Sequence, residues 1–416
     1  MGGRRMIAMQ QLDVRHCRSL FPSLALEEGG RSVAYLDAPA GTQVPRMVGD
    51  SITTYFRDAN ANVGGAYRTS RATDRIIAEA RAAMADLLGA EADEIAFGAN
   101  MTTLTYTLSR ALGQTLTEGD EVVVTEMDHE ANVSPWRALT ERGAAVRTLP
   151  MDPATCQLAP LETCLGPRTR VVALGYASNA LGTVNAVRRA ASLCREAGAI
   201  LVVDAVHYLP HAPVDVKDLD CDFLLASTYK VFGPHLGLLY GRKAAFEKLP
   251  AYRLRVQRPY PPEKLETGTL NHEGLAGLLG TAAFLEDIGR RAGGKGDRRQ
   301  ILRAAMTAIA DHGKALGERL YRGLAGLPGV RVFGPLPGAR RTPTYSFTLA
   351  GRTPRQVAEH LGSRGVFVSD GDFYAPGPIE RLGLAGSGGL VRAGLAPYND
   401  AEDVARLLEC VTELAG

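Results

Sequence analysis

Residues 223–234 read FLLASTYKVFGP, and this stretch decides the fold. Phe223 to Ser227 is a short run with no charged residue, of the kind that forms a strand covered on both faces. Ser227, Thr228, Tyr229 and Lys230 then fall at its carboxyl end. Outward in both directions the same unit recurs. Short runs rich in β-branched residues lie at 94–97, 121–125, 146–149, 171–176, 200–204 and 238–240. Helical segments separate them, such as 72–88, where Ile76, Ala80, Met84 and Leu87 repeat at helical spacing, and 187–197. This alternation, from residue 35 to about residue 248, predicts an α/β fold with a mostly parallel sheet and crossover helices.

Beyond Pro259, Pro261, Pro262 and the glycine-rich loop around Gly293 the character changes. A helix is predicted at 300–324, strands at 330–333 and 344–349, a helix at 354–362, strands at 366–369 and 390–394, and a helix at 400–414. These describe a smaller α+β unit. The expected division is an N-terminal segment 1–34 packing on the small unit, a large domain 35–289 and a small domain 290–416.

Composition narrows the function. The 416 residues are 45% apolar, and Lys plus Arg number 47 against 45 acids. A net charge of +2 creates no field that would recruit nucleic acid or a membrane surface. The basic residues at 290–299 alternate with glycine and read as a solvated loop. No stretch approaches the about 18 apolar residues of a membrane span, and residues 1–11 lack the apolar core of a secretory signal. The six cysteines are scattered without a CxxC pair. That argues against disulfides or a metal site and predicts a cytoplasmic protein.

Ligands of doubly wound sheets bind outside the carboxyl ends of the strands. Five loops bring chemistry to that edge: Thr102 and Thr103 after 94–97, His129 after 121–125, Asn179 after 171–176, Asp204 at the end of 200–204, and Ser227 with Lys230. Each has an ordinary reading: Asp204 and the threonines as caps, His129 as a loop histidine, Asn179 as a turn former, Lys230 as a surface lysine. Together they compose a pyridoxal 5'-phosphate site. The lysine forms a Schiff base with the aldehyde, and an acid keeps the pyridine nitrogen protonated. Hydroxyls at a helix N-terminus suit the phosphate, an imidazole can stack on the ring, and Asn179 can reach the phenolic oxygen.

With these residues in view, the chain resembles the class V aminotransferase family, fold type I of the pyridoxal-phosphate enzymes, in its cysteine-desulfurase-like branch. The resemblance runs from about Tyr35 to the C-terminus. It is carried by YLDAPAG at 35–41, EMDHEAN at 126–132, SNALGT at 178–183, VVDA at 202–205, STYKVFGP at 227–234, ETGT at 266–269 and VRAGL at 391–395. It implies Lys230 as the Schiff-base lysine, Asp204 at the ring nitrogen, His129 on the ring face, Asn179 at the phenolic oxygen, and Thr102, Thr103 and Ser227 at the phosphate. Gly268 and Thr269 are implied to reach the phosphate of a neighbouring subunit, hence a homodimer with shared sites. Arg392 is implied to grip the substrate carboxylate through its guanidinium fork. Asp37 is expected in the pocket lining, with Arg68 as a second anionic contact or a solvent-facing residue.

Three departures from the family pattern bear on function. The loop VSDGDFYAPG at 368–377 holds no cysteine where desulfurases carry their nucleophile. Tyr229 stands where a histidine often precedes the lysine, and its hydroxyl can still donate to phosphate. Met101 replaces a glycine, and His207 replaces a glutamine, as a phenolic-oxygen contact or as a core histidine. Without the loop thiol, persulfide formation by that route is disfavoured. The expected reaction is β-elimination from cysteine or a cysteine S-conjugate. Lys230 would be the base at Cα, and Tyr374 or Asp372 the acid assisting departure from Cβ. Phe373 as part of a packing lid is the bland alternative. Transamination and epimerisation are the rivals within the enzyme class. A non-catalytic binding protein of this fold would be marked by loss of the lysine, which is present.

Overall fold

The computed structural model describes residues 11–336 and 338–415. Its centre is a seven-stranded sheet in the order Ile95–Gly98, Gly237–Gly241, Phe223–Ser227, Ile200–Asp204, Thr169–Gly175, Glu121–Thr125, Ala145–Leu149. All seven predicted strands lie in this one sheet. Except in the edge strand Ala145–Leu149, their centres are apolar and covered on both faces: Val122, Val123, Val202, Val203, Leu224 and Leu225 have no measurable exposure. The sheet is mostly parallel, but Gly237–Gly241 runs antiparallel to both neighbours. Chain length explains this, because the short link from Ser227 to Gly237 cannot hold a crossover of a dozen or more residues.

The second sheet is antiparallel throughout, in the order Val330–Phe333, Thr344–Leu349, Leu390–Gly394, Ser369–Gly371. It closes its own core of Leu320, Phe347, Leu361, Val391 and Leu407 against helices Arg298–Ala325, Pro354–Ser363 and Ala401–Ala415. The strand expected at 366–369 is corrected to two. Val366–Phe367 pairs in parallel with Ala34–Tyr35, while Ser369–Gly371 joins Leu390–Gly394. Each half takes a different partner, so the chain bends between them. The N-terminal segment meets this region through Arg18, which bonds the carbonyl of Tyr398 and Asp403 (2.9 Å). Residues 1–10 of that segment lie outside the described residues.

Two long helices escaped the sequence reading, Arg46–Asp58 and His272–Arg291. The second carries Gly274, Gly277, Gly280 and Gly289, which lower intrinsic helix propensity. Close packing is what these glycines serve. A Cβ on Gly280 would lie 2.4 Å from the Met47 carbonyl oxygen, and one on Gly289 would lie 2.1 Å from that of Ile301. No described helix is long and apolar enough to cross a membrane.

Candidate active site

The carboxyl ends of the central strands face the 369–374 loop of the second sheet across a cavity of about 810 Å³, with a recess of about 60 Å³ adjoining it. Lys230 borders both. After strand Phe223–Ser227 the chain closes one 3-10 turn, Thr228–Lys230, in which Val231 N–H donates to the Thr228 carbonyl (2.8 Å) and the Thr228 hydroxyl to that of Pro234 (2.5 Å). The lysine is 6% exposed, and its Nζ donates to the Pro39 carbonyl at 2.8 Å. Burial, then the charge of Arg392, brings its pKa down to about 8 against the opposing pull of Asp204.

The segment around Pro39 joins the two sheets. Leu36 donates to Phe367 (2.9 Å) and accepts from Gly394 (2.7 Å), while Thr42 Oγ1 bonds the Tyr229 carbonyl (3.1 Å) and the Phe232 N–H (2.9 Å). Asp37 lies within it, half-buried, with Oδ1 unpartnered. Burial raises its pKa to about 6, while a hydrogen bond from its own backbone and the charge of Arg392 lower it. It does not line the cavity.

Asp204 closes its strand inside the recess, where Oδ1 accepts from Val206 N–H at 2.9 Å. Burial raises its pKa to about 6, opposed by that hydrogen bond and by Lys230. Asp128, which the sequence reading passed over, also lines the recess. Its Oδ2 accepts from Asn132 Nδ2 and Gly175 N–H, each 2.8 Å, strapping the turn that carries His129 to the neighbouring strand. Burial first, and Asp204 second, raise it to about 7. The available signal was an acid immediately beside the candidate histidine at a strand end.

His129 caps the turn Glu130–Asn132, with Nδ1 accepting from Ala131 N–H at 3.0 Å. The neutral ring therefore carries its proton on Nε2. Burial and the charges of Lys230 and Arg392 lower its pKa to about 4. The Tyr374 ring stacks on it, with centroids 5.7 Å apart and planes 28° apart.

Phe373 and Tyr374 are consecutive non-glycine residues in the left-handed region, φ 59° and 56°. Two hydrogen bonds from elsewhere hold them so: Asn179 Nδ2 donates to the Phe373 carbonyl (2.9 Å), and Glu130 N–H to that of Tyr374 (2.8 Å). Asp372 Oδ1 accepts from Tyr374 N–H (2.9 Å). Arg392 lies over the Phe373 ring at 4.1 Å and donates to the Asn179 carbonyl at 2.9 Å. Burial brings the arginine's pKa down to about 9.

Most of the predicted residues meet here. Thr102, His129, Asn179, Tyr229, Lys230, Asp372, Tyr374 and Arg392 line the cavity, and Asp204, His207 and Ser227 line the recess. Ser227 Oγ accepts from Met101 N–H (3.0 Å), tying the N-terminus of helix Met101–Leu112 to the strand end. Tyr229 stacks flat on His235 at 4.7 Å. His207 Nε2 lies 3.1 Å and 3.0 Å from the hydroxyls of Thr342 and Thr344, and burial drives its pKa down. Thr103 does not reach the cavity, because its N–H and hydroxyl bond Asn100 in a capping box. Arg68, Gly268 and Thr269 are exposed and do not line it. Glu130 does line it and was not foreseen. Among the described residues no cluster of three or more metal-ligating side chains occurs.

Three buried polar atoms in these walls have no partner: Asn179 Oδ1, His207 Nδ1 and Arg392 Nε. Left so, each is costly. An amine of lowered pKa, a carboxyl beyond it, an imidazole and a helix N-terminus surround the same space. That donor set fits pyridoxal phosphate. Lys230 would meet its aldehyde, Asp204 its ring nitrogen and the helix N-terminus at Thr102 its phosphate.

A model of the family described as aminotransferase class-V matches residues 34–407. A probable cysteine desulfurase of Mycolicibacterium paratuberculosis is 32% identical over 97% of the chain, and the chain spans only 58% of that protein's length. An aminotransferase-like protein of Gibberella zeae is 31% identical, over 97% of the chain and 98% of its own. The apo structure of a cysteine desulfurase from Thermococcus onnurineus superposes with a TM-score of 0.85 at 28% identity, covering 98% of this chain and 99% of that one. With the family model spanning nearly all of the sequence and the fold shared at full length, the chain belongs to the class V aminotransferases, enzymes that depend on pyridoxal phosphate.

Proposed function

We propose that the protein is a β-eliminating lyase acting on cysteine or a cysteine S-conjugate. One observation carries the reading. The loop that walls the cavity presents Asp372, Phe373 and Tyr374, and no cysteine lines the site; the six cysteines are buried elsewhere. A C–S bond cleaved here has no thiol to receive the sulfur, so the sulfur leaves as hydrogen sulfide from cysteine or as a free thiol from an S-conjugate.

Pyridoxal phosphate, when bound, supplies an aldehyde for an amine and a ring that accepts electrons. The chain's own residues do the rest. Arg392 holds the α-carboxylate through its guanidinium fork. Lys230 Nζ, its pKa lowered to about 8, takes the proton from Cα. The sulfur departs from Cβ with the bonding pair and takes a proton from Tyr374. The three-carbon fragment leaves as aminoacrylate, which water converts to pyruvate and ammonia.

Gly268 and Thr269 are exposed in a stretch that also exposes Tyr252, Leu254, Val256 and Tyr260. This supports a homodimer in which that stretch serves the partner's phosphate site. Cytoplasmic placement belongs to the same reading. The name of the Gibberella zeae relative favours transamination as the second reading.

Holoenzyme given S-methyl-cysteine and no keto acid settles the choice. Continuous pyruvate and thiol release is expected. A single turnover that resumes only when a keto acid is added would overturn elimination in favour of transamination.

A further inference from the structure

The cavity extends beyond the residues that would hold the cofactor and an α-carboxylate. Its walls carry opposite charges, with the cations Lys230 and Arg392 buried and the carboxylates Glu130 and Asp372 more open to solvent. Gly371 and Asp372 also line an adjoining cleft of about 410 Å³, in which Glu380 stands. Asp372 therefore borders open space on two sides, and the cavity of about 810 Å³ exceeds what a residue the size of cysteine occupies. Asp370 pairs with Arg355 at 3.2 Å, whereas among the described residues neither Glu130 nor Asp372 forms a salt bridge. Glu130 is fixed facing the site, since its carboxylate accepts from the Ser134 hydroxyl and its N–H donates to the Tyr374 carbonyl. Arg392 and Asn179, 3% and 5% exposed, keep unpartnered polar atoms in the wall of the same cavity. Those atoms call for a polar ligand at its inner end.

We infer that the substrate is an amino acid or S-conjugate whose side chain is long and ends in a cationic group, an ammonium or guanidinium. Arg392 holds its α-carboxylate, and Glu130 and Asp372 receive the distal cation. The inference rests on the proposed amino-acid chemistry at Lys230 and Arg392 and specifies its substrate. A neutral chain of the same length leaves two carboxylates unpaired, and an anionic one meets them with repulsion.

The test uses holoenzyme and three probes: S-(2-aminoethyl)-cysteine, the isosteric S-propyl-cysteine and S-(2-carboxyethyl)-cysteine. Dissociation constants are read from the change in cofactor absorbance. The aminoethyl compound is expected to bind about tenfold tighter than the propyl compound, and the carboxyethyl compound weakest. Glu130→Gln with Asp372→Asn should bring the first two level, and Glu130→Gln alone should narrow the gap should the double variant not fold. Equal binding by the parent enzyme, or a preference that survives in the variants, overturns the inference. Binding is read on rapid mixing, before the C–S bond breaks, so the two ideas fail separately. A cationic preference without pyruvate sinks only elimination, and pyruvate release without the preference sinks only the substrate class.

Discussion

The Tyr374 ring, 76% exposed, lies stacked against His129, which is anchored by Ala131 N–H on the cavity wall. The phenol thus has two separable properties, a flat face that supports the imidazole and a hydroxyl that can give up a proton. Tyr374→Phe keeps the face and removes the hydroxyl. It is expected to leave the cofactor spectrum unchanged and to lower kcat on S-alkyl-cysteine by about a hundredfold. Tyr374→Ala should disturb the spectrum as well. Unchanged turnover in the phenylalanine variant would assign the proton to another group.

The buried amine of Lys230 makes cofactor-free protein sensitive to pH. Its folded pKa, about 8, is below the 10.5 of a free lysine. Between those values the unfolded chain binds more protons, so stability rises with pH across that window, and below about 8 the cost of the buried charge is fully present. Lys230→Met should stabilise the cofactor-free chain at pH 7 by on the order of 2–3 kcal/mol. The gain should fade toward pH 10.5. Urea unfolding at several pH values measures it, and a gain independent of pH would contradict the assignment.

Arg392 should not tolerate lysine. Its guanidinium already spends one donor on the Asn179 carbonyl and lies over Phe373, and an ammonium cannot reproduce both and still present a fork. Arg392→Lys is expected to weaken binding of amino-acid ligands by roughly 1.5–3 kcal/mol, the range of a hydrogen bond to a charged group. Binding of the corresponding carboxamides should fall much less. Equal losses for both would remove the arginine from carboxylate recognition.

Gly289→Ala probes the helix contact instead of the chemistry. The added methyl would meet the Ile301 carbonyl oxygen at 2.1 Å, backbone against which nothing flexible can yield. A loss of about 1–3 kcal/mol in denaturant unfolding is expected. An unchanged midpoint would show that the two helices can separate freely.

How much of this was visible in sequence follows from which physics each feature obeys. The central strands were legible because burial on both faces forces continuous apolar runs, and the residues at their carboxyl ends inherit a common edge. Lys230, Asp204, His129 and Asn179 could therefore be brought together before any coordinates. Helix His272–Arg291 was not legible, since its glycines answer to the neighbouring backbones of Met47 and Ile301 and not to local propensity. Thr103 misled for a related reason. A hydroxyl at a helix start is equally suited to an anion and to its own cap, and only the geometry at Asn100 separates the two. Asp128 and Glu130 flank His129 in sequence, and all three line the cavity or its recess; their place beside the histidine was the available signal, but adjacency alone does not tell an inward acid from a solvent-facing one.

The stretch from Ala34 to Thr42 gives the molecule a mechanical property as well as a shape. One end pairs with Val366–Phe367 and reaches the smaller sheet at Gly394, and the other is latched beside Lys230, whose nitrogen rests on Pro39. Any rocking of the smaller sheet therefore pulls on the lysine's one acceptor among the described residues. Substrate that draws the smaller sheet inward through Arg392 would in the same movement loosen or tighten the amine's tether, so that occupancy at one end of the cavity is felt as reactivity at the other.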